Sequence, residues 1–130
     1  MFGEIGGRPP GGRSVDLMNF SNDFDIYSGW AQAVTHGEFN QTAHRRYNAA
    51  AIFKRARGQG RICAINGLGG LRHRFGEHIV VEDLLPIGSP RRNWRQTLLS
   101  DGYLVVRHPD LAKTLEIADA VGTDLQIDAR

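Results

Sequence analysis

The sequence predicts an α+β domain: two N-terminal helices beside a strand remnant, then a small, mostly antiparallel sheet with two further helices, one short and one longer. Three observations carry that expectation. Residues 14 to 36 keep helical spacing of their apolar positions. Residues 48 to 128 break into short strand-like runs punctuated by Gly and Pro. A chain of 130 residues suffices for one hydrophobic core and no second.

Taken in order, residues 2 to 5 read as the end of a strand, stopped by Gly6, Gly7 and the Pro9-Pro10 pair, which cannot continue a ladder. Ser14 is placed to cap a first helix, with Val15, Leu17 and Met18 facing inward and residues 19 to 23 ending it. A second helix is expected from Asp25 to His36. Its Ile26, Trp30, Ala33 and Val34 share one face, Asp25 suits the positive helix end, and Gly37 supplies a left-handed stop. Residues 38 to 46 are polar and read as a loop.

Strands are expected at 48–55, 60–65, 78–85 and 102–108, with a last one in "DLQID". Between the second and third, Leu68, Leu71 and Phe75 keep helical spacing despite Gly69 and Gly70. The clearest helix runs from Pro109 to Val121, with Leu111, Leu115 and Ala118 as its apolar stripe before Gly122.

With 41% hydrophobic and 23% charged residues, the composition is that of an ordinary globular protein, and no apolar run is long enough to span a bilayer. Gly-Arg-Pro-Pro stands where a secretory signal would be apolar, so a cytoplasmic location is expected. Net charge is +2, and fourteen of the sixteen cations are arginine, the better residue for gripping carboxylates and phosphates. The single cysteine, Cys63, precludes an internal disulfide and is expected to be buried in a strand. The five histidines are scattered and do not show zinc-ligand spacing. Ser100, Asp101 and His108 hold the elements of a nucleophile and base, but Ser100-Asp101-Gly102 reads as a turn. "SPRRNWRQ" and "FKRARGQGR" are basic and read as connections, and nucleic acid is not expected as a partner.

The chemistry-bearing stretch is "GEIGGRPPGG" at residues 3 to 12. On a strand, Glu4 and Gly6 share one face, and Arg8 is the next alternate position. A carboxylate and a guanidinium on the same side of one strand can grip a metal ion and an anion together, and the glycines let a ligand approach the backbone. One carboxylate does not complete a magnesium site, because the ion prefers six oxygen ligands.

This stretch resembles the closing motif of the ATP-grasp superfamily, a strand of the form Glu-x-Asn-x-Arg, and is similar to that of the carboxylate–amine ligases in particular. The sequel "GGRSVDLMNFSNDFDIYSGWAQAVTHG" resembles the family's Gly-Gly, helix, helix, Gly run. The remainder, including "GQGRICAINGL", resembles the C-terminal subdomain of biotin carboxylase-like members. The resemblance implies that residues 1–40 close a catalytic domain and residues 41–130 form an α+β subdomain. It implies Glu4 as a magnesium ligand, Arg8 as the catalytic group facing the carboxylate or acyl phosphate, and Gly11 and Gly12 as a substrate loop. ATP and Mg2+ would be the cofactors and a small carboxylate the substrate. The implied reaction phosphorylates that carboxylate and lets an amine displace the phosphate.

Gly6 stands where the family usually has Asn, which leaves the second side-chain ligand open. The family's glycine-rich phosphate loop, its adenine-binding strand and its other acidic strand have no counterpart in this chain. It therefore reads as the last third of a larger ligase, not expected to be active alone. Two alternatives stand beside that expectation: a non-enzymatic anion or nucleic-acid binding module, and a subunit that completes a partner's ATP-grasp site. Whether the chain forms a homo-oligomer or joins a larger partner chain is left open.

Overall fold

Residues 11–42, 44–93, 95–97 and 99–130 are described by a computed structural model of the chain. The strand remnant expected at residues 2 to 5 lies outside them. The described residues form an α+β domain in the order α1 (Ser14–Asn22), α2 (Ile26–His36), β1 (Asn48–Lys54), β2 (Arg57–Gly58), β3 (Ile62–Asn66), α3 (Leu68–Phe75), β4 (Ile79–Leu84), β5 (Gly102–His108), α4 (Leu111–Asp124) and β6 (Gln126–Ala129).

The most apolar run, "GYLVV", becomes the central strand β5, paired antiparallel with β1 on one side and β4 on the other. Strand alternation sends its Leu104 and Val106 to one face, where they meet Ile117 and Val121 of α4 and Leu71 and Phe75 of α3. Tyr103 and Val105 point to the other face and are also buried. On that side the Arg13 guanidinium, at the start of α1, lies over the Tyr103 ring, 4.9 Å from its centroid. Arg107 of β5 holds the far end of α1, donating to the Phe20 carbonyl at 3.1 Å and to the Asp23 carboxylate.

The expectation of one mostly antiparallel sheet is corrected in one respect. Among the described residues six strands divide into two three-stranded sheets, and the second has the order β2-β6-β3 with a parallel β2–β6 pair. A second apolar cluster, Ala56, Ile62 and Ile127, lies under it, and Ile65 and Leu84 pack against both clusters. The division follows from the chain turning away from the first sheet after Lys54, so that residues 57–66 pair with the C-terminal strand instead.

Several inward assignments also change. Ser14 is the first residue of α1, and Arg13 takes the capping position without a side-chain cap. Met18, Leu111 and Leu115 are exposed, and α4 buries Thr114, Ile117 and Val121, one step around the helix from the expected stripe. That helix passes through Gly122 and stops at Asp124. The ends of α2 are as expected: Asp25 accepts from the Tyr27 and Ser28 amides, and Gly37 is left-handed at φ 71°. Its apolar face, however, points outward, with Trp30 61% and Val34 67% exposed. The side that faces the protein is Gly29, which lies against the Phe39 ring so closely that a Cβ would overlap it.

Candidate functional site

Glu4 and Arg8, the metal ligand and catalytic arginine that the resemblance implies, lie outside the described residues. Gly11 and Gly12, the implied substrate loop, are described. They form the turn that opens α1, with the Ser14 amide donating to the Gly11 carbonyl at 3.5 Å. Gly12 has φ 66°, a backbone that L side chains rarely adopt, and among the described residues nothing stands within 4 Å of where a Cβ would sit on either residue. Among the described residues nothing blocks the approach of a ligand to the backbone of this turn.

Arg13 follows directly. Its Nη1 donates to Asp16 at 3.2 Å. The Asp16 hydrogen bond raises the guanidinium above its ordinary pKa while burial opposes the rise, so Arg13 is a fixed positive charge. Among the described residues its Nε–H is enclosed yet has no hydrogen-bond partner. An enclosed, charge-bearing donor without a partner carries a desolvation penalty, and an acceptor supplied from elsewhere would relieve it. Beside it the Tyr103 and Phe53 rings lie 5.5 Å apart. The Gly11–Gly12 turn, the unpaired Arg13 donor and this aromatic pair thus share the Gly102 end of the first sheet. Sequence reasoning missed Arg13, because nothing in "GGRSVD" distinguishes it from a solvated arginine.

The nucleophile and base elements are not brought together. Ser100 precedes β5 and His108 is its last residue, so about 20 Å of extended strand, Gly102 to His108, lies between them. Asp101 is 1% exposed and fully engaged as an acceptor. It takes bonds from the Ala56 amide at 2.8 Å, the Arg92 amide at 2.8 Å and Arg91 Nε at 3.2 Å. Burial pushes this carboxyl up, but the three donors together bring it below its ordinary value. Asp101 is a structural hub.

Two of the scattered histidines do meet: the His78 and His108 rings lie edge to face, 4.8 Å between centroids. His108 Nδ1 accepts the Asp110 amide at 2.9 Å, so it is already used. Among the described residues no three His, Cys, Asp or Glu side chains gather as a metal site would require.

Cys63 is corrected from buried to exposed. Its strand has a bulge between Ile62 and Ala64, which face consecutive residues of β6, and the extra residue is turned outward. Its Sγ lies 3.4 Å from the Asp128 carbonyl.

A groove of about 330 Å3 between α1, β1 and α4 is walled by Leu17, Met18, Tyr47, Leu111 and Leu115, with Arg45 also lining it. Two of its hydroxyls are spent on backbone, Ser21 on the Met18 carbonyl and Thr114 on the Asp110 carbonyl. It is a binding shape without convergent catalytic groups.

No family model matches this chain, and no curated protein and no solved structure matches it. Among the described residues no helix is long and apolar enough to cross a membrane.

Proposed function

We propose that this chain is the C-terminal part of an ATP-dependent carboxylate–amine ligase of the ATP-grasp type. The observation that carries the proposal beyond the sequence signature is the end of the first sheet. There, among the described residues, Gly11 and Gly12 make an open turn beside Arg13, a fixed cation whose enclosed Nε–H has no hydrogen-bond partner. A carboxylate or phosphoryl oxygen is the acceptor that such a donor favours. The outward face of α2, with Tyr27, Trp30 and Val34 exposed, is consistent with a further body of protein packed against it.

In this reading Arg8 positions the carboxylate and offsets the charge that builds on it as it is phosphorylated, while Gly11 and Gly12 let it approach the main chain. Glu4 would hold Mg2+, and that ion would supply charge neutralisation at the transferring phosphoryl group. One carboxylate is too few for the ion, so its other ligands would come from outside this chain.

The test is nucleotide turnover. The 130-residue chain alone should give no magnesium-dependent release of ADP. The longer polypeptide, supplied with acid and amine, should release ADP at a rate that falls at least about 100-fold in Glu4→Ala and Arg8→Ala. Turnover by the bare chain that Glu4→Ala abolishes would refute the claim that its catalytic apparatus is incomplete. Unchanged turnover in both variants of the longer polypeptide would refute the assigned roles.

A further inference from the structure

Two basic segments that lie far apart in the sequence are joined in the fold. Segment 54–61 carries Lys54, Arg55, Arg57 and Arg61; segment 89–97 carries Arg91, Arg92 and Arg95; neither contains a carboxylate. Arg61 bridges to Pro90, and the Arg91 amide donates to the Gly60 carbonyl at 3.0 Å. Arg91 Nη1 reaches the Gly58 carbonyl, and Arg61 Nη1 donates to the Gly88 carbonyl at 2.7 Å. Arg130 joins them, exchanging backbone bonds with Arg61 at 2.8 and 2.9 Å. This region therefore gathers eight of the chain's sixteen cations, with Asp101 and Asp128 as carboxylates beside them.

The charge is available to a ligand. Of the eight, Arg91 pairs with a carboxylate, the buried Asp101. Arg57 bonds neutral Gln126 and Arg61 bonds a carbonyl, while among the described residues Arg55 and Arg130 have no such side-chain partner; all four are exposed. Asp128, in register with Arg57 on β6, receives the Asn66 amide at 3.1 Å. The crowding is felt at Lys54, whose ammonium is held below its ordinary pKa by burial and by the like charge of Arg57.

We infer that this arginine face binds a nucleic-acid strand through its phosphates, independently of the ligase site. Guanidinium forks match phosphate oxygens bidentately. Among the described residues the four exposed arginines sit on a two-residue strand and the turns and chain end beside it, without a helix to enter a groove, so the face reads phosphates and not bases. A lipid surface is held by an amphipathic helix presenting several apolar side chains, whereas the 86–89 turn between the segments offers Ile87 as its exposed large apolar group.

Fluorescence anisotropy of the full chain with a labelled thymidine oligomer of about thirty nucleotides tests this. Four phosphate contacts, from Arg55, Arg57, Arg61 and Arg130, give a salt slope near −2.8, so affinity falls about 50-fold between 50 and 200 mM salt. Arg55→Gln/Arg130→Gln removes two exposed side chains without a hydrogen bond or ion pair among the described residues and should halve the slope to about −1.4. Arg72→Gln/Lys113→Gln removes the same charge elsewhere and should leave the slope unchanged. Absence of oligomer binding at 50 mM salt, an equal loss in both double variants, or binding to phosphatidylserine vesicles without binding to the oligomer would each overturn the inference. The outcome is separable from the ligase reading, because neither double variant touches Glu4, Arg8 or Arg13.

Discussion

Replacing Asp101 by Asn removes one charge from the most enclosed carboxylate described and keeps its shape. In the wild type, Oδ2 accepts from the Ala56 amide and Arg91 Nε, and Oδ1 accepts from the Arg92 amide, joining the segment after β1, the Arg91–Arg92 segment and the start of β5. Asn can keep one of these oxygens. Its NH2 then faces the N–H that the other oxygen served, so one charge-assisted bond is lost and one buried donor is stranded. Together these cost about 3 kcal/mol. Unfolding entropy of about 2.1 cal/mol/K per residue converts that to a Tm drop of about 11 °C for a chain of this length.

Circular dichroism melts at pH 7 check it, and a drop under about 3 °C would refute the hub assignment. The pH dependence gives a second check. The folded carboxyl ionises below its ordinary value, so its stabilising contribution is complete above the unfolded pKa of about 3.9. It is lost as pH falls from there through the lowered folded value. Wild-type and Asp101→Asn melts should therefore converge on acidification, and a gap that holds constant down to pH 2 would contradict an origin in the ionised carboxylate.

The other predictions concern single features. Gly67 has φ 83° and a Cβ there would collide with the Asp124 carbonyl, so Gly67→Ala should lower the urea unfolding free energy by about 2–4 kcal/mol; a change under 0.5 kcal/mol would contradict that packing. Cys63 should react with a thiol-specific reagent in native buffer to one equivalent, and a requirement for denaturant would place it back in the core. Trp30→Gln/Val34→Gln should change the unfolding free energy of this chain by no more than about 0.5 kcal/mol, since both side chains are exposed; a loss above 2 kcal/mol would mean that the face is covered.

Where local pattern and tertiary packing agree, the elements are legible from residues alone. Asp25 and Gly37 bound α2 because a capping carboxylate and a left-handed glycine act within one turn. The run "GYLVV" suits only a central strand, having no polar face to expose. Faces are less legible. The apolar stripe of α2 has the spacing of a core helix yet points outward, since spacing establishes a stripe without saying what covers it. Cys63 lies on the face opposite its buried neighbour Ile62, and nothing in "GRICAI" says which of the two faces is covered. The joining of segments 54–61 and 89–97 depends on a long-range bridge and is invisible in sequence. At the candidate site, Gly11 and Gly12 are readable as a turn, whereas the unpaired Nε–H of Arg13 depends on its enclosure by neighbours that only the fold brings near.

The central claim is that "FGEIGGRPPGG" is an interior strand of a ligase active site. The most direct test reads the coding DNA upstream of Met1 in the same frame. An open frame of roughly two hundred or more further residues, as ATP-grasp catalytic architecture needs, carrying a glycine-rich phosphate loop and an acidic ligand strand, is the predicted result. A stop codon just upstream would contradict it, leaving a genuine small protein in which Glu4 and Arg8 serve another chain's site or none.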